Sequence, residues 1–467
     1  MSEFRLLIDG KMVPGDLSMN VVNPATEGIV ASCPRASHRQ LDSAVGAAKV
    51  AFPLWSSTPI ERRREVLMRI ADVIDQNAEM LARILTQEQG KPFPDSMQEI
   101  RGAAGLFRRI APMELPMKLL EESESRRVEA HRRPLGVVAA IVPWNFPIAL
   151  LAFKMPPALL AGNTIVVKPA ATTPLSTLKL GELICDVVPA GVINVIADAN
   201  DLGGALSAHP DVRKVSFTGS TATGKKVMAS AADTLKRVTL ELGGNDAAIV
   251  LDDVDPKAAA PKIFQQAFRN SGQICVAVKR VYAHEAVYDE LCDELAKLAD
   301  AAVVGDGLQQ GVQIGPVQNK VQFERVQELL EDARLHGKVI AGGTITEGPG
   351  YFVRPTIIRD IEDGVRIVDE EQFGPVLPVM KFTDLDDAIQ RANNSPWGLG
   401  GSVWSRDERR AVEVGSRIES GTVWINSHGS LAPHIPFGGS KQSGMGIEFG
   451  EEGLAEFTQL QVISVAR

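Results

Sequence analysis

The residues that decide the fold are 136–168, GVVAAIVPWNFPIALLAFKMPPALLAGNTIVVK. Two short apolar runs rich in β-branched residues, 136–142 and 164–168, lie on either side of a longer apolar stretch. Short runs of this kind favour buried strands, and the length of 149–160 between them suits a helix. Two parallel strands need a crossover connection, which is usually a helix. This stretch therefore predicts a strand–helix–strand unit of a parallel sheet.

The same alternation continues along the chain in two series. The first series adds strands at VINVI, KVSFTG and RVTLEL, with helices at 174–187, 201–208 and 221–231. After residue 242, a second series of strands alternates with helices at AAIVL, KRVYAH, VLPVMKF, GSVWS and TVWIN. We therefore expect an α/β fold with two α/β domains side by side, the first a Rossmann-like domain with the architecture of a dinucleotide-binding domain.

The segments outside these two series set the expected domain boundaries. Residues 37–110 have helical periodicity, with a capping box at SHRQ (37–40) and a threonine cap expected at TPIE (58–61). The polar segment 115–133 and the strand-like C-terminus fit neither series. The expected domains are 1–114 with 134–242 for the cofactor, 243–443 for catalysis, and 115–133 with 454–467 as a small β oligomerisation element.

Composition and charge exclude several classes of function. The net charge of −9 over 467 residues does not favour a nucleic acid or a membrane surface as partner. The four cysteines form no Cys-x-x-Cys pair and no metal-ligand cluster with the seven histidines, so we expect no metal site. So few thiols, with no signal-like N-terminus and no long unbroken apolar stretch, favour the cytoplasm.

Four polar side chains follow strands of the first series. Asn145, Lys168, Ser220 and Glu241 each lie where a predicted strand gives way to a loop, which is the sheet edge where ligands gather. Taken singly, each has an ordinary structural explanation as a helix cap, a surface lysine, a tight turn or an ion pair. Cys275 lies in a polar turn of the second series, unlike a core thiol. Their convergence predicts one cleft with a thiol, an amide donor, a carboxylate and a phosphate-binding turn.

An ordered set of motifs carries a resemblance to a known family. The segments PWNFP, KPA, FTGST, LELGG, NSGQIC, EEQFGPV and PFGGSKQSG resemble the NAD(P)-dependent aldehyde dehydrogenase superfamily over nearly the whole chain. The resemblance implies that Cys275 attacks an aldehyde and that Asn145, with the Cys275 backbone N–H, stabilises the oxyanion. It also implies that Glu241 activates the water that hydrolyses the resulting thioester.

The resemblance also implies a set of cofactor contacts. Lys168 corresponds to a ribose contact, Ser220 to a pyrophosphate contact, and Glu371 with Phe373 to the grip on the nicotinamide ribose and ring. Ala171 stands where NAD-preferring members have a glutamate, so we expect NADP to be accepted as well as NAD. The other expected cofactor positions are Ile141, Val142, Pro143, Trp144, Gly219, Gly224 and Leu242.

The expected substrate tunnel is almost entirely apolar. Its predicted walls are Phe146, Leu150, Phe153, Arg269, Ile274, Val276, Leu431 and Phe437. They favour an apolar aldehyde, aromatic or medium-chain aliphatic. A semialdehyde such as succinate semialdehyde is the alternative, because Arg269 matches an arginine that some of its enzymes use.

Several further alternatives stay open at this stage. Lys154 and Glu448 resemble proposed proton-relay positions, and a structural ion pair is the alternative for them. His428 and His434 are expected in an exposed loop near the tunnel mouth. A CoA-acylating relative and a non-catalytic protein of the same fold are less favoured, because the thiol, amide and carboxylate are all retained. The resemblance implies a homodimer or homotetramer, with the C-terminal strand crossing between subunits.

Overall fold

The computed structural model describes residues 4–345 and 348–467. Its strands are β1 Leu6–Ile8, β2 Lys11–Val13, β3 Leu17–Val22, β4 Ile29–Arg35, β5 Lys118–Glu122, β6 Arg126–Pro134, β7 Val137–Ile141, β8 Thr164–Lys168, β9 Ile193–Val195, β10 Val212–Thr218, β11 Arg237–Glu241, β12 Ala247–Val250, β13 Arg280–His284, β14 Lys338–Ala341, β15 Thr356–Arg359, β16 Val376–Phe382, β17 Trp397–Gly398, β18 Gly400–Trp404, β19 Thr422–Ile425, β20 Ser440–Lys441, β21 Gly444–Met445 and β22 Thr458–Ala466.

Helices separate most of these strands. They are α1 His38–Ser57, α2 Ile60–Gln76, α3 Ala78–Gln89, α4 Phe93–Ile110, α5 Pro147–Leu160, α6 Leu175–Ile184, α7 Gly203–Ala208, α8 Thr221–Ala232, α9 Pro256–Phe268, the 3₁₀ helix Arg269–Gly272, α10 Glu285–Ala301, α11 Lys320–His336, α12 Arg366–Asp369, α13 Leu385–Asn393, α14 Glu408–Gly415 and α15 Gly450–Ala455.

The first large sheet has eight strands in the order β2-β1-β9-β8-β7-β10-β11-β21. The five central strands are parallel to one another, in the order β9, β8, β7, β10 and β11. They are the five strands that the sequence predicts for the first series. Antiparallel strands complete both edges: β1 and β2 at one, β21 at the other. The edge strands have only two or three residues, too few for a periodic pattern to mark them.

The second large sheet has seven strands in the order β14-β15-β16-β13-β12-β18-β19. All pairs from β15 to β19 are parallel, and β14 adds an antiparallel edge. The five strands predicted for the second series are all present, and β14 and β15 are additions. Separate apolar cores pack on the two faces of this sheet. The two α/β layers are therefore confirmed, with more strands at the edges than expected.

A third sheet joins the two segments that fit neither series. β22 pairs with β6 from Thr458 opposite Pro134 to Ala466 opposite Arg126, and β6 also pairs with β5. β22 and β6 belong to the same chain, and β22 is the edge strand of this sheet. One edge of β22 pairs with β6, and in the described residues the other edge pairs with no strand. Its exposed apolar side chains include Leu460, Val462 and Val465. The domain boundaries stated above remain a prediction.

The first helices test two sequence signals for helix ends. Ser37 caps α1 in a capping box with Gln40, as predicted. The predicted threonine cap of α2 is wrong, because α1 extends to Ser57 and leaves Thr58 as its C-terminal cap. The Thr58 hydroxyl donates instead to the Leu54 carbonyl at 2.9 Å, and Pro59 precedes α2.

Two global features bear on the environment of the protein. All four cysteines are free thiols. In the described parts of the chain, every helix is too short or too polar to span a bilayer.

Candidate active site

Cys275 follows a tightly constrained turn after α9. Asn270, Ser271 and Gly272 all have left-handed backbone angles, with φ of 51°, 57° and 71°. A Cβ on Gly272 would lie 2.3 Å from the Gly374 carbonyl oxygen, so glycine is required there. Left-handed residues other than glycine cost roughly 1 kcal/mol or more each, and such strain clusters at functional sites. The turn therefore holds the thiol in a fixed place.

The Asn145 amide, just beyond β7, is tied to this turn. Its Nδ2 donates to the Gln273 carbonyl at 2.9 Å. The backbone carbonyl of Asn145 accepts from Lys91 Nζ at 2.7 Å and from Asn270 Nδ2 at 3.1 Å. The side chain is buried, and its Oδ1 has no hydrogen-bond partner among residues 4–345 and 348–467. The bond to Gln273 uses one of the two N–H groups of Nδ2, so the second can donate to a bound oxyanion without reorganisation of the amide.

A buried ion pair that the sequence did not indicate helps to hold the backbone of Asn145 in place. Lys91 Nζ and Glu99 Oε2 lie 2.5 Å apart, and both side chains are fully buried. Glu99 Oε1 also accepts from the first N–H groups of α5, at Ile148 and Ala149. Burial lowers the pKa of Lys91, and Glu99 opposes that shift. The pair connects the loop between α3 and α4, which carries Lys91, to Glu99 of α4 and to the start of α5, and no motif in the sequence indicates it.

Glu241 ends β11 with its carboxylate buried. In the described part of the chain its Oε1 has no hydrogen-bond partner, which leaves an acceptor free. Burial raises the pKa of Glu241 well above its usual range; Glu448 raises it further and Lys154 lowers it. Lys154 Nζ lies 2.6 Å from Glu448 Oε1, so the two predicted relay positions form a buried ion pair. A carboxyl group with a raised pKa is suited to proton transfer near neutral pH.

One cavity of about 320 Å³ brings these groups together. Cys275, Asn145 and Glu241 all line it, as do all eight residues predicted for the tunnel. Helix α4 adds walls that the sequence did not indicate, namely Gln98, Leu106 and Arg109. The cavity thus joins a thiol, an amide and a carboxyl group at one end to mostly apolar walls.

The two histidines of the nearby loop have different environments. His428 is buried, so the expectation of an exposed side chain is wrong for it. Its Nδ1 lies 3.0 Å from Ser402 Oγ and its Nε2 3.0 Å from the Val276 carbonyl oxygen. The loop folds back onto β18, and the ring packs on Trp424. His434 is exposed.

The cofactor side begins at Lys168, the last residue of β8. Lys168 Nζ donates to Asp198 Oδ1 at 2.6 Å, and Asp198 Oδ2 accepts from the Leu202 N–H at 2.8 Å. Sequence reasoning missed Asp198, which is fully buried. Ala171 lines a neighbouring cleft of about 540 Å³ together with Trp144. Lys168 is therefore part of an ion pair rather than a free cation.

The predicted phosphate-binding turn lies between β10 and α8. Gly219 and Ser220 precede the helix, and Ser220 Oγ accepts from the Thr223 N–H at 3.3 Å. Gly224 allows close packing, since a Cβ there would lie 2.4 Å from Leu242 Cδ2. The N-terminus of this twelve-residue helix has the orientation and the partial positive charge that suit a phosphate.

Glu371 precedes β16 of the second large sheet, and its side chain contacts the backbone just after β11 of the first large sheet. The Gly244 N–H donates to Glu371 Oε1 at 3.1 Å, and Lys279 Nζ lies 3.5 Å from the same oxygen. A Cβ on Gly243 would lie 2.3 Å from Glu371 Oε2, so this glycine opens the space that the carboxylate uses. Burial raises the pKa of Glu371, whereas Lys279 and the Gly244 N–H lower it.

Phe373 extends this surface towards β7. It has a left-handed φ of 44° and meets Trp144 edge to face, with ring centroids 5.4 Å apart. The remaining predicted contacts at the end of β7 are Ile141, Val142 and Pro143. An aromatic wall, a carboxylate, a lysine and a helix N-terminus along one sheet edge fit a dinucleotide.

Comparisons with known proteins identify the family of the chain. The model of the aldehyde dehydrogenase family matches residues 13–463. Phenylacetaldehyde dehydrogenase of Pseudomonas fluorescens is 38% identical, over 99% of this chain and 96% of that protein. The NAD+ complex of an aldehyde dehydrogenase from Bacillus cereus has a TM-score of 0.97 and 36% identity, covering 100% of this chain and 97% of that one.

A second solved structure matches equally well. It is described as an NADP dependent enzyme from E. coli, and it has a TM-score of 0.97 and 36% identity. The match covers 100% of this chain and 98% of that chain. The chain belongs to the aldehyde dehydrogenase family.

Proposed function

We propose that the protein oxidises an aldehyde to the carboxylic acid through a covalent intermediate on Cys275, with NAD or NADP as the hydride acceptor. The observation that carries this proposal is that Cys275, Asn145 and Glu241 line one cavity. A nucleophile, an oxyanion donor and a base are the three groups that hydrolytic oxidation through a thioester requires.

Each residue has a definite part in this reaction. The Cys275 thiolate attacks the carbonyl carbon, and Asn145 Nδ2 with the Cys275 N–H stabilises the oxyanion of the thiohemiacetal. A bound oxidised nicotinamide would supply the hydride acceptor at this carbon, and loss of the hydride leaves the carbon as a thioester of Cys275. Glu241 removes a proton from water, which attacks the thioester and releases the acid and the thiol. One aldehyde and one water thus give one acid, one reduced nicotinamide and one proton.

The substrate that we propose is an apolar aldehyde, aromatic or medium-chain aliphatic. The walls near the thiol are mostly apolar, including Phe146, Phe153 and Phe437. The relative that acts on phenylacetaldehyde supports an aromatic substrate. Initial rates of nicotinamide reduction over a panel of aldehydes test the proposal. Higher kcat/KM for succinate semialdehyde than for benzaldehyde and hexanal would contradict it.

A semialdehyde with a distal carboxylate is the second candidate. Two arginines, Arg109 and Arg269, line the same cavity. Among the residues the structure describes, neither arginine forms an ion pair within 4 Å; Arg269 donates to Gln98 Oε1 at 3.5 Å and lies over the Phe146 ring. The same panel distinguishes the candidates. A CoA-acylating reaction is disfavoured because Glu241 is retained, and product analysis with and without CoA tests that alternative.

The cofactor preference depends on Ala171 and on the Lys168–Asp198 pair. Ala171 offers no carboxylate to repel a 2′-phosphate, whereas Asp198 neutralises the nearby Lys168 cation. We expect NADP to be accepted as well as NAD, and an NAD advantage in kcat/KM above about 100-fold, roughly 2.7 kcal/mol, would contradict this. Asp198→Asn exposes the charge of Lys168, so the ratio of kcat/KM for NADP to that for NAD is expected to rise about tenfold. An unchanged or lower ratio would count against this role for the pair.

The acid limb of the pH profile provides a further prediction. Below its pKa Glu241 is protonated and cannot accept a proton from water, so kcat falls as the pH falls. Glu448→Gln removes a charge that raises the pKa of Glu241 and leaves Lys154, which lowers that pKa, uncompensated. The acid limb of kcat is therefore expected to move to lower pH.

The control for this prediction is Glu452→Gln, at an exposed position of α15. It is expected to keep the profile of the unchanged protein. An acid limb of Glu448→Gln that stays in place or moves to higher pH would show that Glu241 does not control it.

We propose that the protein is a cytoplasmic homodimer or homotetramer. β22 pairs with β6 along one edge, and its exposed apolar residues Leu460, Val462 and Val465 lie on the small sheet. A second subunit would cover such a surface. Size-exclusion chromatography with light scattering tests this assembly, and a single species with the mass of one chain would exclude it.

A further inference from the structure

Lys279 is a buried lysine four residues after Cys275 that the proposed reaction does not use. Its side chain is 2% exposed. Its Nζ donates to the Ile274 carbonyl and lies 3.5 Å from the Cys275 carbonyl oxygen. The same nitrogen lies 3.5 Å from Glu371 Oε1 and 5.1 Å from the centre of the Phe373 ring. Lys279 thus contacts both the nucleophile turn and the residues expected to hold the nicotinamide ribose.

The charged groups around Cys275 affect the ionisation of its thiol, and Lys279 is one of them. Burial raises the pKa of the Cys275 thiol to about 12, and Lys279 lowers it. Glu241, Glu371 and Asp246 each raise it. A reactive cysteine needs a local positive charge, since the thiolate is the nucleophile. Three acids therefore oppose ionisation of the thiol, and Lys279 is the cation that favours it.

We propose that Lys279 is a positioning residue for the reaction of Cys275: its ammonium group joins the turn that carries the thiol to Glu371 and supplies positive charge beside the thiolate. This inference rests on the proposed function, in which Cys275 is the nucleophile. It adds a residue of the second sheet to the site, and it makes Glu371 a group that acts on the thiol as well as on a cofactor.

The test is alkylation of Cys275 by iodoacetamide without cofactor or aldehyde, followed by mass spectrometry of the peptide that carries it. Lys279→Met removes the charge. A rise of one unit in the thiol pKa lowers the thiolate fraction tenfold and raises its nucleophilicity, so the rate at pH 8 is expected to fall about threefold. The profile of rate against pH is expected to move to higher pH, and Lys279→Arg is expected to restore it partly.

Lys179→Met is the matched control, because Lys179 is also largely buried but lies on α6, away from the cavity. It is expected to leave the alkylation profile unchanged. An unchanged profile for Lys279→Met would overturn the proposal. Because no aldehyde is present, this result is independent of whether the protein oxidises aldehydes.

A second variant decides the question if Lys279→Met does not fold. Glu371→Gln removes one of the acids that raise the thiol pKa and leaves the charge of Lys279 uncompensated. Alkylation at pH 8 is then expected to become about threefold faster in the absence of cofactor. A rate that is unchanged or slower would contradict the coupling between Glu371, Lys279 and Cys275.

Discussion

Replacement of Cys275 with alanine is expected to lower kcat for aldehyde oxidation by at least about 10⁴-fold, because the covalent route is lost. The thiol lines the cavity beside Asn145 and Glu241, and the mechanism offers no second nucleophile. Absorbance of the reduced nicotinamide measures the rate. Cofactor binding by calorimetry is expected to persist, since the proposed cofactor surface lies on other residues.

The control for this prediction is Cys185→Ala. Cys185 is a free, partly buried thiol at the end of α6 and does not line the cavity. It is expected to keep normal activity. A folded Cys275→Ala protein that retained more than about 1% of kcat would remove the thiol from the mechanism.

Replacement of Glu241 with glutamine is expected to separate the two halves of the reaction. Steady-state kcat is expected to fall about 10²- to 10⁴-fold, since water is no longer activated by a general base. Formation of the thioester needs Cys275 and Asn145, so the first turnover is expected to give a burst of reduced nicotinamide. Stopped-flow absorbance measures the burst, whose amplitude should approach one per active site.

A surface glutamate provides the comparison for this variant. Glu182→Gln on α6 removes a carboxylate away from the cavity and is expected to leave both phases unchanged. If Glu241→Gln showed normal turnover, the water would need another base. If it lost the burst as well, Glu241 would be required before the thioester forms.

Much of the fold and the centre of the site follow from local sequence. Buried parallel strands appear as short β-branched runs, and ligand-binding side chains follow their carboxyl ends. This reasoning led to Asn145, Lys168 and Glu241, and the polar turn led to Cys275. The structure places Asn145, Glu241 and Cys275 in one cavity.

The residues that the sequence did not indicate depend on packing between distant elements. Lys91, in the loop between α3 and α4, and Glu99 of α4 acquire their role only when they pack against Asn145 and the start of α5. Asp198 meets Lys168 only because β9 lies beside β8. Lys279 directly precedes β13, and no sequence motif distinguishes a functional lysine at such a position from an ordinary one. A buried charge becomes informative only when its partner is known.

The small errors have similar physical causes. Thr58 satisfies a local rule for a helix start, but the preceding helix continues far enough to use it as an end cap. His428 lies in a polar loop segment, yet the loop packs back on β18 and buries the ring. The neighbouring helix overrode the local preference at Thr58, and tertiary packing overrode it at His428.

The central claim is that the aldehyde carbon becomes bonded to the sulfur atom of Cys275. The most direct measurement mixes Glu241→Gln protein with benzaldehyde and NAD, quenches in acid, and determines the mass of the peptide that contains Cys275. The predicted result is a benzoyl group on that peptide, absent when NAD is omitted and absent in Cys275→Ala protein. Reduced nicotinamide formed in stoichiometric amount with an unmodified Cys275 peptide would contradict the account.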